Sequence, residues 1–166
     1  MTTNKARRHT LALLLILLLA VGCDSQSAMV DPDPTVVSAE AFMIRSSQVA
    51  VSPTTSEGTF KGFGAIDDNG AYTEVLNSAE PLHMLTSLHG KKTLKGTQGT
   101  IEIEFYVDLD DTGHNTIQAK GSFHIVGGSG AYARLQGEGE IDLELDEDAS
   151  PADLTDFLEG KARYAQ

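Results

Sequence analysis

Along most of the chain, apolar and polar residues alternate in short segments that Gly, Asn, Asp and Pro residues separate. The clearest segment is 101–109, where Ile, Phe, Val and Leu take every second position and mostly acidic residues lie between them. The segments 116–126 and 135–145 alternate in the same way. Because successive side chains of a strand point to opposite faces, this pattern predicts antiparallel strands with one buried and one solvated face.

Weaker segments extend the pattern in both directions, and helical spacing is almost absent. They are 42–51, 57–66, 71–77, 82–95 and 157–165. Asn69-Gly70, in the connection before 71–77, predicts a hairpin there. About eight antiparallel strands must close into a barrel or pack as two sheets, and inward glycines favour the barrel. The sequence therefore predicts an all-β domain over 39–166, a small antiparallel barrel of about eight strands.

The first 22 residues have the composition of a cleaved signal peptide. Three basic residues precede the apolar run Leu11–Val21, which is shorter than the roughly 20 residues of a membrane-spanning helix. Ala20-Val21-Gly22-Cys23 resembles the bacterial lipobox, which implies a lipoprotein with lipid on Cys23. An ordinary secretory peptide followed by a chance cysteine is the alternative. Residues 23–38, rich in Ser, Asp and Pro, are predicted to be a flexible linker.

These segments predict an exported protein that is lipid-anchored to the cell envelope, on its periplasmic or surface side. Cys23 is the only cysteine, so lipidation leaves no thiol for an intrachain disulfide or for catalysis. Without 1–22 the chain has 9 Lys and Arg against 24 Asp and Glu, a formal net charge of −15. Such a charge repels phosphate backbones, so we expect no nucleic-acid partner. The expected partners are the membrane, a small apolar ligand or another envelope protein.

A glycine-rich hairpin occupies 123–139. Its first three glycines are expected to supply positive φ values in the turn, and the last two to allow curvature of the next strand. Tyr132 and Leu135 are expected to fold back over one end of the barrel. The glycines are Gly127, Gly128, Gly130, Gly137 and Gly139.

This hairpin resembles that of the allene-oxide-cyclase-like and dirigent-like β-barrels, with a looser likeness at 90–101 and 158–162. The resemblance implies a calycin-type barrel of eight antiparallel strands. It also raises an isomerase or cyclase acting on a small apolar substrate as an alternative function. No active-site residue of these families can be matched in the sequence, so no catalytic residue is predicted.

Two acidic stretches could attract a cation. One is spaced partly like a calcium loop, but Ala119 stands where a bidentate acidic ligand belongs, which favours a solvated turn. Its residues are Asp108, Asp110, Asp111, Gly113 and Asn115. The other is an acidic ridge expected to face Lys120 and His124, and either to collect divalent cations or, as we favour, to keep the barrel soluble. It comprises Glu138, Glu140, Asp142, Glu144 and Asp146, continued by Glu147 and Asp148.

The histidines lack the spacing of a zinc site, and neither a metal nor a cofactor is predicted. His83 and His89 lie an even number of residues apart in the predicted strand 82–95, so they are expected on one face. Tyr72 and Glu74 are expected on a neighbouring strand. The candidate ligand-binding residues are therefore His83, His89, Tyr72 and Tyr132, with a purely structural role as the alternative.

Three hypotheses for function remain open from the sequence. The leading one is a non-enzymatic envelope lipoprotein whose barrel binds a small apolar molecule at its mouth, or binds another envelope component. The second is the cyclase-like enzyme, which requires a cavity lined by convergent polar groups. The third is a structural or stress-related surface protein with a filled barrel. The volume of the barrel interior distinguishes them, because an eight-stranded barrel is either just filled by its side chains or has room for one small ligand.

Overall fold

The computed structural model describes residues 38–80, 84–111, 116–146 and 153–165. The predicted signal peptide 1–22 and the lipidation site Cys23 lie outside these residues, as does nearly all of the predicted linker. The described residues form eight strands. Their bounds are β1 (Glu40–Ser52), β2 (Thr55–Gly64), β3 (Asn69–Leu76), β4 (Ser87–Gly96), β5 (Gly99–Asp111), β6 (Thr116–Gly130), β7 (Leu135–Asp146) and β8 (Asp153–Tyr164).

Each strand pairs in antiparallel fashion with the next one in the chain, and β8 pairs with β1 to close the barrel. This is the all-β antiparallel barrel that the alternating pattern predicts. Closure also pairs the outermost strands, which would otherwise expose unpaired backbone groups to other chains. No helix long and apolar enough to span a membrane occurs in the described part of the chain.

The barrel interior holds the side chains of alternate residues from all eight strands. The predicted inward faces of β5, β6 and β7 are confirmed, because their alternate apolar residues lie in one core. This core also includes Phe42 and Ile44 of β1, Leu94 of β4 and Leu158 of β8. Phe42 and Phe123 pack edge to face with ring centroids 5.9 Å apart.

Two sequence-based boundaries need correction. The predicted strand 82–95 begins only at Ser87, and residues 84–86 precede it without strand pairing. The predicted hairpin is present, since β2 pairs with β3, but Asn69-Gly70 opens β3 instead of forming the turn, and the two residues pair with Lys61 and Phe60. The connection is instead 65–68, because the Asp68 carboxylate accepts the backbone N–H of Asn69 at 2.8 Å and fixes the chain there.

One end of the barrel, which we call the capped end, carries the connections 65–68, 97–98 and 131–134. Tyr132 and Leu135 are buried there, as the sequence predicts for residues that fold over a barrel end. The Tyr132 hydroxyl donates to Asp68 Oδ2 at 3.2 Å. The opposite end, which we call the cavity end, carries the β1–β2 turn at 53–54 and the ends of the other strands.

The glycine-rich hairpin differs in part from its prediction. Gly130 has a φ of +61°, as expected for its turn, whereas Gly127 and Gly128 lie within β6 without a positive φ. They follow an irregularity at which Ile125 pairs with Ile103 but Gly127 pairs with Glu102. Gly139 must be glycine because the backbone of β8 approaches it closely: a Cβ there would lie 2.0 Å from the Glu159 carbonyl oxygen. Gly137 is similarly crowded by Ile125 and Lys161.

Candidate functional site

A group of polar side chains lies inside the barrel with almost no exposure to solvent. Its members come from four strands that lie on one side of the barrel, whereas β5, β6 and β7 contribute apolar residues and glycines to the interior. We call this group the buried polar cluster. It consists of Gln48 on β1, Tyr72 and Glu74 on β3, Lys92 on β4 and Asp156 on β8.

Strand phase and register bring these residues together. Lys92 is in phase with the inward Leu88 and Leu94 of β4, so its side chain must enter the core. Directly across the β3–β4 pair lies Glu74. Asp156 joins the cluster because the barrel closes, with β8 paired to β1. Residues 64 positions apart therefore meet as a contact pair.

Lys92 is the centre of the cluster. Its Nζ lies 2.7 Å from Asp156 Oδ2 and 2.5 Å from the Tyr72 hydroxyl, and it also forms an ion pair with Glu74 Oε2. The ammonium lies 4.2 Å from the centroid of the Phe105 ring, a cation–π distance. Buried ion pairs persist only when such contacts replace the water that both charges lose.

Two uncharged side chains complete the network. The Tyr72 hydroxyl lies 3.0 Å from Glu74 Oε2 and also hydrogen-bonds Asp156 Oδ2. Gln48 Nε2 donates to both oxygens of Asp156 at 3.4 Å and to Glu74 Oε2 at 3.5 Å. Its own Oε1 has no hydrogen-bond partner among the described residues, and neither does the buried Oγ of Ser46. Unsatisfied buried oxygens of this kind are uncommon and mark a site where a further donor would be stabilising.

The electrostatics of the cluster fix the state of two groups. Burial by itself lowers the pKa of Lys92, but the charges of Asp156 and Glu74 outweigh it and the pKa is raised. Burial, followed by the same two carboxylates, raises the pKa of Tyr72 well above its usual range. Lys92 is therefore a fixed cation, unsuited to act as an amine nucleophile, and Tyr72 is a neutral hydrogen-bond donor.

A cavity of about 190 Å³ lies next to the cluster at the cavity end. Most of its wall is aliphatic and comes from β3 to β8. These residues are Leu76, Leu88, Leu109, Ile117, Ala119, Leu143, Leu145 and Leu154. The wall from β1 to β3 adds Ser52, Thr55, Ser56 and Glu74. Glu74 thus belongs both to the buried polar cluster and to the cavity, which has an apolar side and an acidic, hydroxyl-bearing side.

The three candidate ligand-binding residues that the structure describes do not converge. Tyr72 points into the barrel, whereas His89 is exposed on the outer face, beside Asn77 and stacked on Tyr106 with centroids 6.5 Å apart. Tyr132 lies at the capped end, and His83 lies outside the described residues. Tyr72 and Glu74 lie on the strand next to that of His89, as expected, because β3 pairs with β4. His89 nevertheless does not share their inward face, since an odd offset separates it from the inward phase of β4.

Sequence reasoning missed Gln48, Lys92 and Asp156. A signal was present, because each lies two or four residues from apolar inward residues of its own strand. Alternation identifies the apolar faces, and a polar residue in phase with such a face must be buried with it. Charged residues at such positions are rarely fully buried unless paired, so their partners were needed to identify them.

The outer acidic ridge faces β6 as predicted. Lys120 lies 3.3 Å from Asp142, and His124 lies 3.6 Å from Glu138, in pairs that are largely exposed. Glu147, Asp148 and the centre of the candidate calcium loop, 112–115, lie outside the described residues. Within the described ranges, no group of three or more His, Cys, Asp or Glu side chains could hold a metal ion.

The fold and the site together define a class: a closed, eight-stranded, up-and-down β-barrel with a buried ionic cluster beside an apolar cavity. Comparisons with protein-family models, with curated proteins and with solved structures gave no match to this chain.

Proposed function

We propose that this chain is a membrane-tethered cell-envelope lipoprotein whose barrel binds a small, mostly apolar molecule in the cavity beside Glu74. The observation that carries the binding proposal is the cavity itself. Apolar cavities of about 150 Å³ can hold a benzene molecule, so a volume of about 190 Å³ suits one ring with a short substituent. Small-molecule sites commonly combine such an apolar wall with a few polar groups that orient the ligand.

The tether rests on the sequence alone. A basic start, an apolar run and a lipobox-like Ala20–Cys23 support lipidation, and a linker over 23–38 would join the lipid to the barrel. β1 begins at the capped end, so the linker is covalently joined at the end opposite the cavity. Two or more acyl chains would hold the protein durably at a membrane, since each buried methylene contributes about 0.8 kcal/mol.

A cyclase-like enzyme is the second candidate, and one observation favours it. The buried polar cluster supplies convergent polar groups next to a cavity, which is the arrangement that such an enzyme requires. Glu74 is the one member of the cluster that lines the cavity, so it would be the group in contact with a substrate. The binding proposal needs only the cavity and is therefore preferred.

Mass spectrometry of the full chain expressed in a bacterial host tests both parts of the proposal. Under denaturing conditions we expect a membrane-bound species that lacks residues 1–22 and carries acyl groups, and a Cys23→Ser control without them. An unacylated wild-type mass would overturn the tether. Under native conditions we expect a small-molecule adduct, whereas a bare mass would overturn the carrier proposal and favour a structural or interaction role.

A pair of matched variants locates the adduct. Ala119→Leu adds three carbons to a residue that lines the cavity, whereas Ala71→Leu makes the same change on the exposed face of β3. We expect the adduct to disappear in the first variant and to persist in the second. Persistence in both would place the bound molecule elsewhere.

A further inference from the structure

The cavity has a charge asymmetry that limits which molecules it can accept. Glu74 is the one charged side chain among the described residues of its wall, which include no Lys, Arg or His. The other polar side chains among the described lining residues are those of Ser52, Thr55 and Ser56, and Ser56 lies directly opposite Glu74 in the β2–β3 pair. A carboxylate or phosphate in this cavity would face Glu74 without a cation to compensate it.

Within the cluster, charges do not balance. One ammonium, on Lys92, faces the carboxyl groups of Glu74 and Asp156, so the ionised cluster has a formal net charge of −1. All three side chains have at most 1% exposure, and an uncompensated buried charge is costly. A second cation next to Glu74 would remove this imbalance.

The geometry leaves Glu74 able to accept such a cation. Three hydrogen bonds reach the same oxygen, Oε2: one from Gln48, one from Lys92, and one from the Tyr72 hydroxyl, which shares its proton with Asp156. Oε1 receives none of these three hydrogen bonds, although a carboxylate has two oxygens with roughly four acceptor positions in all. Because the same residue lines the cavity, the second oxygen can serve a donor that enters from there.

Building on the proposed binding function, we propose that the cavity selects a small molecule with an apolar body and a protonated amine, with the amine paired to Glu74. The aliphatic wall would hold the body of the ligand, and Ser56 would accept a further hydrogen bond from the ammonium. Lys92, whose pKa is raised by Asp156 and Glu74 against the effect of burial, stays charged and stays bound to Oε2.

Three probes of similar size test the proposal on the full chain in detergent. They are benzylamine, which is protonated at neutral pH, the uncharged ethylbenzene and the anion benzoate. Dissociation constants are taken from methyl NMR titrations, with each probe also titrated into detergent alone. We expect benzylamine to bind at least about tenfold more tightly than ethylbenzene, as a charge-assisted hydrogen bond implies, and benzoate to bind most weakly.

Glu74→Gln should bring benzylamine and ethylbenzene to within about threefold of each other, because the pairing charge is gone. The matched control is Glu57→Gln, one strand position from Ser56 but on the exposed face of β2. It lowers the overall negative charge equally and should keep the amine preference. Loss of preference in both variants would attribute it to the charge of the whole protein and would overturn the site.

The outcomes separate the two proposals. Ethylbenzene or benzoate binding as tightly as benzylamine to the wild type would overturn the amine preference and leave the binding function intact. Failure of all three probes to bind would contradict the proposed function itself. The wild-type series decides the question even where Glu74→Gln does not fold.

Discussion

The barrel contains two buried carboxylate sites whose surroundings differ. At the capped end, Asp68 accepts hydrogen bonds from the backbone N–H groups of Asn69, Thr97 and Gln98 and from two hydroxyl groups. Inside the barrel, Glu74 and Asp156 depend instead on the side chains of Lys92, Tyr72 and Gln48.

The difference separates a structural carboxylate from one available to a ligand. The donors to Asp68 lie in the connections 97–98 and 131–134 or, at Asn69, directly after its own connection, so this residue holds three connections in place and leaves little acceptor capacity. Glu74 faces a cavity, and its partners crowd one oxygen. At Asp68, backbone donors fix a turn. The buried polar cluster consists instead of side chains on strands, and such a cluster can border a cavity that another molecule fills.

The largest effect should come from removing the cation of the cluster. Lys92→Met leaves two carboxyl groups facing each other without a counter-charge, and we expect the free energy of unfolding to fall by about 3–5 kcal/mol. Urea unfolding measures it. The control is Lys91→Met, whose side chain is 70% exposed beside Glu104, and its midpoint should stay near that of the wild type. Equal midpoints for all three proteins would show that the cluster does not hold its charges as described.

Removing the capped-end carboxylate should have the next largest effect. Asp68→Ala leaves the buried Tyr132 hydroxyl and the part-buried backbone N–H groups of Thr97 and Gln98 without their acceptor, which we expect to lower the free energy of unfolding by about 1–3 kcal/mol. Asp67→Ala, at the exposed neighbouring position, tests whether any change in this connection has the same effect. A loss as large at Asp67 as at Asp68 would contradict the assigned role.

The stabilisation by Asp68 should depend on pH. Burial alone would raise its pKa, but the hydrogen bonds from Thr97, Gln98 and Asn69 lower it well below the usual range. A depressed pKa gives stability that is present above the unfolded-state value and is lost as the pH falls toward the folded-state value. The difference in unfolding free energy between wild type and Asp68→Asn should therefore be constant near neutrality and shrink below about pH 4. A difference that does not change down to about pH 3 would contradict this account.

The smallest effect should appear in the alkaline titration of the tyrosines. Burial and the carboxylates of Asp156 and Glu74 raise the pKa of Tyr72, so its contribution to stability holds below about pH 10 and is lost as the pH rises further. In the native protein at about pH 11, Tyr72→Phe should leave the tyrosinate absorbance unchanged. In the chain unfolded by guanidinium, the same variant should lose one of four tyrosinate signals. A fall in the native signal would place Tyr72 in contact with solvent.

Much of the fold followed from the sequence. Alternation over 101–109, 116–126 and 135–145 identified β5, β6 and β7 and their inward faces, because a half-buried strand requires period two. The same rule gave the number of strands and the antiparallel barrel. The turn at 65–68 was less accessible, since it is set by the contacts of the Asp68 carboxylate with Asn69 and with Thr97, which is distant in sequence. The start of β4 at Ser87 also differs from the alternating pattern.

The candidate site could be predicted only in part. The sequence places Tyr72 and Glu74 on a strand next to that of His89, but the His89 side chain lies on the outer face. The sequence does contain a signal for Lys92 and Asp156, because their phase with Leu94 and Leu158 points both side chains inward.

The sequence by itself thus determined the strands, their faces and the excess of negative charge, because these depend on residue type and short-range spacing. Only the tertiary structure decided that Lys92 meets Glu74 and Asp156 and that a cavity lies beside them. Closure of β8 onto β1 brings inward residues from distant parts of the chain to the same level of the barrel. That level is set by the stagger of the strands around the whole barrel, which no single strand encodes.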